Sequence, residues 1–253
     1  MVKRMVGVLL LCWMVALPGA HAAGLEIAVG GWHQDPGGSF GYKALSDFDK
    51  IDIDQDLNYD TEIRLQGRAK IELPFFLPNI YLVAAPSEFE GNGRKSGSFN
   101  FGDQTFVGNV DFYSKIKIDQ YDIGLYYGLP FIKTATLGKL NVDVGLNARI
   151  FDVEARIQQA AIDEKESLTG VLPMVYAAVQ VMPFERLAIE AETRFISISD
   201  NTVYSLTGRL RFRLFGPVFA AAGYRYDNID IDESDVRVDM ELQGPFVEVG
   251  FKF

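Results

Sequence analysis

The sequence predicts an all-β protein: a single antiparallel, up-and-down transmembrane β-barrel of about ten strands, with eight or twelve as alternatives. Three observations carry that reading. From Leu25 onward apolar residues recur at almost every second position, the period of a strand whose side chains alternate faces. Beyond the N-terminus no stretch approaches the roughly 18 apolar residues a membrane helix needs, yet the alternating runs are about ten residues or more, which suits a tilted spanning strand. The connections also alternate in length. They are short at residues 74–79, 183–186 and 215–217 and long and polar after the first and third strands, the asymmetry expected between the two ends of a spanning barrel.

Residues 1–22 stand apart. Lys3 and Arg4, an apolar run over residues 5–17, a Pro18-Gly19 break and Ala20-His21-Ala22 are the parts of a secretory signal peptide cleaved after Ala22. That leaves residues 23–253 as the barrel. Cys12 departs with the signal, so the remainder needs no disulfide, and the loss of Lys3 and Arg4 takes the formal charge from −10 to −12. A chain this acidic repels nucleic acid.

In chain order, Leu25, Ile27 and Val29 open the first strand, which Asp35-Pro36-Gly37-Gly38 is expected to end. The second places Ile63, Leu65, Gly67, Ala69, Ile71 and Leu73 against Glu62, Arg64, Gln66, Arg68, Lys70 and Glu72. A third begins at Ile80, Leu82 and Ala84 and runs into a polar stretch over residues 90–104. The fourth spans residues 121–129. After a turn near residues 134–139 the fifth covers 140–150, and the sixth, residues 171–182, is apolar on both faces. The seventh sets Leu187, Ile189, Ala191, Thr193 and Phe195 against Glu190, Glu192 and Arg194. The eighth, residues 204–214, sets Tyr204, Leu206, Leu210, Phe212 and Leu214 against Arg209, Arg211 and Arg213. The ninth covers residues 218–227, and an acidic loop over 228–235 leads to the last strand. There the apolar phase shifts by one position across Gly244-Pro245, which predicts a bulge.

Alternation alone does not say which face meets which solvent. The charges do. A short turn joins the seventh and eighth strands, so Glu190 and Glu192 fall on the same face as Arg194, Arg209, Arg211 and Arg213. Arginines crowded in this way require partners inside a narrow barrel and need none in water. The apolar face therefore turns to lipid, since only helices and closed barrels satisfy their backbone in hydrocarbon.

The ending Pro245-Phe246-Val247-Glu248-Val249-Gly250-Phe251-Lys252-Phe253 resembles the C-terminal signal of Gram-negative outer-membrane β-barrel proteins. With the signal peptide and the strand pattern, the likeness covers nearly the whole chain, and it is greatest to a small group of such barrels with no established activity. The resemblance implies residence in the bacterial outer membrane, outer-membrane lipid and lipopolysaccharide as surroundings, and recognition of Val247, Val249, Phe251 and Phe253 by the barrel-assembly machinery. It implies little about function.

Three sets of residues are candidates for a site. Glu62, Arg64, Arg68, Lys70, Asp143, Arg149, Glu190, Glu192, Arg194, Arg209, Arg211, Arg213 and Arg225 are expected to face the lumen, either as the lining of a narrow pore for small polar or ionic solutes or as a mutually neutralising plug. His33 with Asp35 could form a rim site of the kind used by barrel enzymes on envelope lipid or peptide; alternatively, Trp32-His33 is an interfacial anchor. Finally, Asp47, Asp49, Asp52, Asp54, Asp56 and Asp60 form an acidic ladder, matched by Asp227, Asp230, Asp232, Glu233 and Asp235. The two loops should be neighbours and could share divalent cations with lipopolysaccharide, but the calcium-loop pattern fails, with Leu57 at its glycine position and Ile63 at its final glutamate. The sequence implies no catalytic residue, cofactor or resident metal, and favours a structural or surface-interaction role.

Overall fold

In the computed structural model, which describes residues 24–253 apart from 75, 200 and 234, the alternating segments are strands. They are β1 (Gly24–Tyr42), β2 (Glu62–Glu72), β3 (Asn79–Gly93), β4 (Phe112–Gly128) and β5 (Leu140–Gln159), followed by β6 (Ile162–Phe184), β7 (Leu187–Ile198), β8 (Asn201–Phe215), β9 (Val218–Glu233) and β10 (Val236–Lys252). Each pairs antiparallel with the next, and β10 returns to β1 with Val249 opposite Val29, closing the ten-stranded barrel. No helix among the described residues is long and apolar enough to cross a membrane. The signal peptide expected at residues 1–22 lies outside the described residues.

A belt of apolar side chains faces outward. Val29, Ile123, Leu146, Val175, Leu210 and Val249 each expose 45–70% of their surface, while their inward neighbours Ala28, Asp122, Asn147, Met174, Arg209 and Glu248 are buried. Apolar residues outward and polar residues inward is the arrangement of a protein whose outer solvent is hydrocarbon. Both described chain ends lie at the end with the connections over residues 73–78, 129–139, 185–186 and 216–217, as the pairing of Glu26 with Lys252 shows.

Toward the other end the sense reverses. Along β4 the outward residues change from Tyr121, Ile123 and Leu125 to Lys115, Lys117 and Asp119, while the inward ones change from Asp122 and Gln120 to Ile118 and Ile116. β5 does the same: Phe151, Val153 and Ile157 point in, and Asp152, Glu154 and Arg156 point out. Above the belt the outer solvent is water, so the barrel becomes an ordinary soluble one with an apolar core.

That reversal corrects several expectations. Val236, Val238, Met240 and Leu242 and then Val247, Val249 and Phe251 do lie on opposite faces of β10, but no bulge separates them. Pairing with β9 runs unbroken through Gly244 and Pro245; what changes along the strand is which face must be apolar. Gly244, at φ 148°, is needed for a close approach, because a Cβ there would meet the His33 carbonyl oxygen at 1.8 Å. β1 likewise continues past Asp35-Pro36-Gly37-Gly38, turning at Gly38 (φ 98°) beside the Asp239 carbonyl. The acidic residues 228–233 continue β9 instead of forming a loop.

The stretch 90–104, read as polar, hides a plug. Two short strands, Phe99–Phe101 and Gln104–Phe106, form a hairpin that drops Phe99, Phe101 and Phe106 into the barrel mouth at 0–1% exposure. They pack with Phe40, Ile51, Ile53, Leu57, Phe112 and Met240. Phe99 stacks on Phe106 at 5.2 Å between ring centres.

Leu210→Arg on the mid-belt should cost about 2–4 kcal/mol in reversible unfolding from lipid vesicles. Asp239→Arg, outward at the level where the barrel meets water, should leave the unfolding midpoint nearly unchanged.

Candidate functional site

The lumen within the belt is narrow, and almost all strands feed charge into it. Three tiers of ion pairs span it. At the tier nearest the short connections, Arg209 of β8 donates from Nη1 to Glu26 (2.9 Å) and Glu190 (2.8 Å), with its Nε 3.1 Å from Glu248. Arg211 donates to Glu190 (2.9 Å), and Lys252 stands 3.2 Å from Glu26. Both arginine planes lie over the Phe219 ring, at 5.2 and 5.5 Å. Gln66 and Gln180 donate to Glu248 and Glu190.

The middle tier centres on Glu192, 2% exposed in its side chain. It receives Arg68 from β2, Lys70 at 3.1 Å, Arg194 at 3.5 Å and the Tyr81 hydroxyl at 2.7 Å. Tyr81 packs on Tyr176, and the Arg194 guanidinium lies 4.9 Å from the Tyr81 ring centre. In the upper tier Asp122 accepts two bonds from Arg149 (2.9 and 3.0 Å) and one from Asn147 (2.7 Å). Beside it Arg225 makes a forked pair with Asp227, donates to Gln120 and lies 4.6 Å from the Trp32 ring centre. Forked guanidinium–carboxylate pairs and stacked guanidinium planes are what arginine does better than lysine.

Of the residues the sequence singled out, the structure brings Arg68, Lys70, Arg149, Glu190, Glu192, Arg194, Arg209, Arg211 and Arg225 into this network. Asp143 is buried nearby, hydrogen-bonded to Asn141. Glu62 and Arg64 stand above the tiers and are partly exposed, with Arg64 donating to the Glu88 carbonyl. Arg213 lies outside the network: β8 reaches its turn there, and the side chain is exposed. Asp227, read from the sequence as part of the acidic loop, is instead the lumen partner of Arg225 on its own strand, and sequence reasoning missed Glu26, Asp122 and Glu248. Each sits among apolar neighbours as the lone acid of its strand's inward face at that height, and only the strand pairing discloses its partner.

Trp32 is not an interfacial anchor. It points into the lumen, fully buried, and donates from Nε1 to the Gly244 carbonyl at 3.1 Å. His33 and Asp35, on the opposite face of β1, point outward at the upper edge of the belt, and no hydrogen bond or ion pair joins their side chains among the described residues.

The acidic ladder is structural wiring. Asp49 accepts from the backbone amides of Asn100 (2.8 Å), Leu45 (3.0 Å) and Ser46 (3.1 Å). Asp52 caps the next turn through Asp54 N and Gln55 N, and Asp56 pairs with Lys95 at 2.7 Å. Arg237 brings the two acidic regions together, 3.7 Å from Asp47 and 3.4 Å from Asp232. No group of three or more metal-ligating side chains forms among the described residues.

Spaces remain at the two ends. A polar vestibule of ≈ 270 Å³ opens at the short-connection end, lined by Lys70, Tyr126, Asp143 and Glu190. An apolar cavity of ≈ 270 Å³ lies between the charged tiers and the plug hairpin. They share no lining residue, and the gap among Arg68, Arg194, Arg225 and Glu248 between them holds only ≈ 20 Å³.

Glu192→Ala leaves Arg68, Lys70 and Arg194 without their common carboxylate and should destabilise the barrel by about 3–5 kcal/mol; Arg213→Ala should leave the unfolding midpoint in place. In the loop above the belt, burial opposes ionisation of Asp49, but the amides of Asn100, Leu45 and Ser46 and the Ser46 hydroxyl outweigh it and hold its pKa below the ordinary value. Its stabilisation is complete above about pH 4 and is lost as pH falls through the depressed folded value. Hydrogen-exchange protection of the Asn100 amide should drop in that acidic range, and in Asp49→Ala it should be low at every pH.

No family model matches the chain, and no curated protein matches it either. Among solved structures it is similar to Ail, the attachment invasion locus protein of Yersinia pestis, at 9% identity over 92% of this chain and 100% of that one (TM-score 0.40). It is also similar to the translocator domain of the autotransporter NalP from Neisseria meningitidis, at 12% identity over 99% and 96% (TM-score 0.46). Neisserial surface protein A matches at 12% identity over 92% and 100%, with a TM-score of 0.32. Overlaps this loose carry nothing about activity. The closed barrel with its outward apolar belt makes this chain an integral β-barrel protein of the bacterial outer membrane.

Proposed function

We propose that this protein is a closed, non-enzymatic barrel with a structural or surface-interaction role in the outer membrane. The observation that carries the reading is the lumen itself: three tiers of buried, mutually paired charges fill it, and the spaces at its two ends do not connect. A conducting pore needs a hydrated path, whereas small barrels fill their interiors with side chains. For catalysis, His33 is the one histidine among the described residues; it faces outward, and among those residues no hydrogen bond or ion pair joins its side chain to an acid or hydroxyl.

What the protein offers its surroundings lies above the belt. There β3, β4, β5 and β6 carry an outward band of paired charges, with Lys115 facing Glu88, Lys117 facing Asp119 and Lys165 facing Glu154. The reading assigns lipopolysaccharide head groups to this band as its partner, because the band begins directly above the apolar belt. Val247, Val249 and Phe251 face outward on β10, and Phe253 is exposed at the chain's end; this row is the edge offered to the barrel-assembly machinery.

Planar-bilayer recording tests the closed lumen. The purified wild type should insert without conductance steps. Regular steps that change size when Arg209 and Arg211 are neutralised would replace this reading with a narrow pore for small polar solutes.

A further inference from the structure

The apolar cavity above the charged tiers is built unlike a packing defect. Its roof is Phe40 and Phe101, its walls are mostly aliphatic with Phe151 and Glu166 among them, and its floor is polar. At that floor Gln120 and Arg149, each 2% exposed, keep one donor nitrogen without a hydrogen-bond partner, Nε2 of Gln120 and Nη1 of Arg149. Buried donors are normally satisfied, so a pair left open at the base of an apolar chamber marks a place for an acceptor. The volume of ≈ 270 Å³ exceeds the roughly 150 Å³ at which an apolar cavity in another protein takes up benzene.

The chamber also has a side entrance. β6 and β7 are paired only up to Val175 and Phe195. Above that point β6 continues to Ile162 paired with β5 alone, among the described residues. The cavity is lined on one side of this split by Phe151 and Leu172 and on the other by Val203 and Ile229. Two residues of the inward series show the opening directly: Leu168 is 43% exposed and Ile198 60%. A second split, between β2 and β3 above Gly67 and Ala84, is closed by the chain after β1, through Arg94 N to Asp56 O and Asn58 Nδ2 to Asn92 O. The lower lip of the open split is Val175 and Phe195, which belong to the lipid-facing belt.

We infer that this cavity binds a single-chain lipophile with an acceptor head group, a fatty carboxylate, which enters sideways from the outer leaflet through the split between β6 and β7. The head meets Gln120 and Arg149 at the floor, and the chain fills the aliphatic space toward the split. Glu166, which also lines the cavity, disfavours a carboxylate at its own level and so reinforces the head-down orientation. The inference goes beyond a closed structural barrel and does not depend on it, since the cavity and its side entrance both lie above the charged tiers and binding is read separately from conductance.

Binding is measured with radiolabelled laurate on the barrel in lipid nanodiscs, where no detergent chain competes, with dodecane as the headless control. The wild type should hold laurate saturably at one site, and Ala155→Trp, which fills the chamber from β5, should weaken it by about tenfold or more. Ile231→Trp, from the opposite wall, should do the same, and heat-modified electrophoretic mobility identifies which variants are folded. Gln120→Met should weaken laurate and spare dodecane. No saturable laurate binding, or binding that folded Ala155→Trp and Ile231→Trp both retain, overturns the site; equal binding of laurate and dodecane overturns the head-group assignment.

Discussion

The whole barrel depends on one electrostatic constraint: no charge inside its belt can be left alone. Desolvating a single guanidinium or carboxylate costs several kcal/mol, recovered only when the partner is held at hydrogen-bonding distance. Glu192 meets this by collecting cations from β2 and from its own strand, and Arg209 by reaching acids on β1, β7 and β10. The contacts cross the lumen, so they tie together strands far apart in sequence. Separating any two walls unpairs several charges at once.

A second constraint is imposed from outside. The strands pass through hydrocarbon and then through water, and the residues obey each solvent in turn. In the belt, Ile123 faces lipid while Asp122 faces the lumen; above it, Lys117 faces water while Ile118 faces the core. The charged tiers occupy the stretch where the apolar side chains are needed outside. Where those side chains are free to turn inward, the interior becomes an aromatic and aliphatic core closed by Phe99, Phe101 and Phe106. The hydrophobic effect drives both halves with opposite sense.

The boundary between the halves is left partly unfilled. Gln120 and Arg149 form the last polar layer, and above them, among the described residues, β6 and β7 are no longer paired. An apolar chamber with a polar floor is the natural product of stacking a charged lumen beneath a hydrophobic one. Its position beside an interrupted wall opens it toward the side of the barrel.

Much of this was legible in residue order, because a spanning strand writes its period into the sequence: alternation such as Leu206, Leu210 and Phe212 against Arg209 and Arg211, repeated along the chain, pointed to a closed barrel of about ten strands with eight or twelve as alternatives. The local pattern could not show where water replaces lipid along a strand. Identical alternation reads the same with either face inward, so the phase change at Gly244-Pro245 looked like a bulge when it marks a change of solvent. Nor could it show contacts across the lumen. Glu26, Asp122 and Glu248 are lone acids in apolar segments, and Trp32 looked like a membrane anchor until closure placed Arg225 against its ring. Sequence determined which side chains alternate; tertiary closure decided which charges meet, because partners such as Glu26 and Arg209 lie 183 residues apart and pairing at that range is set by strand register.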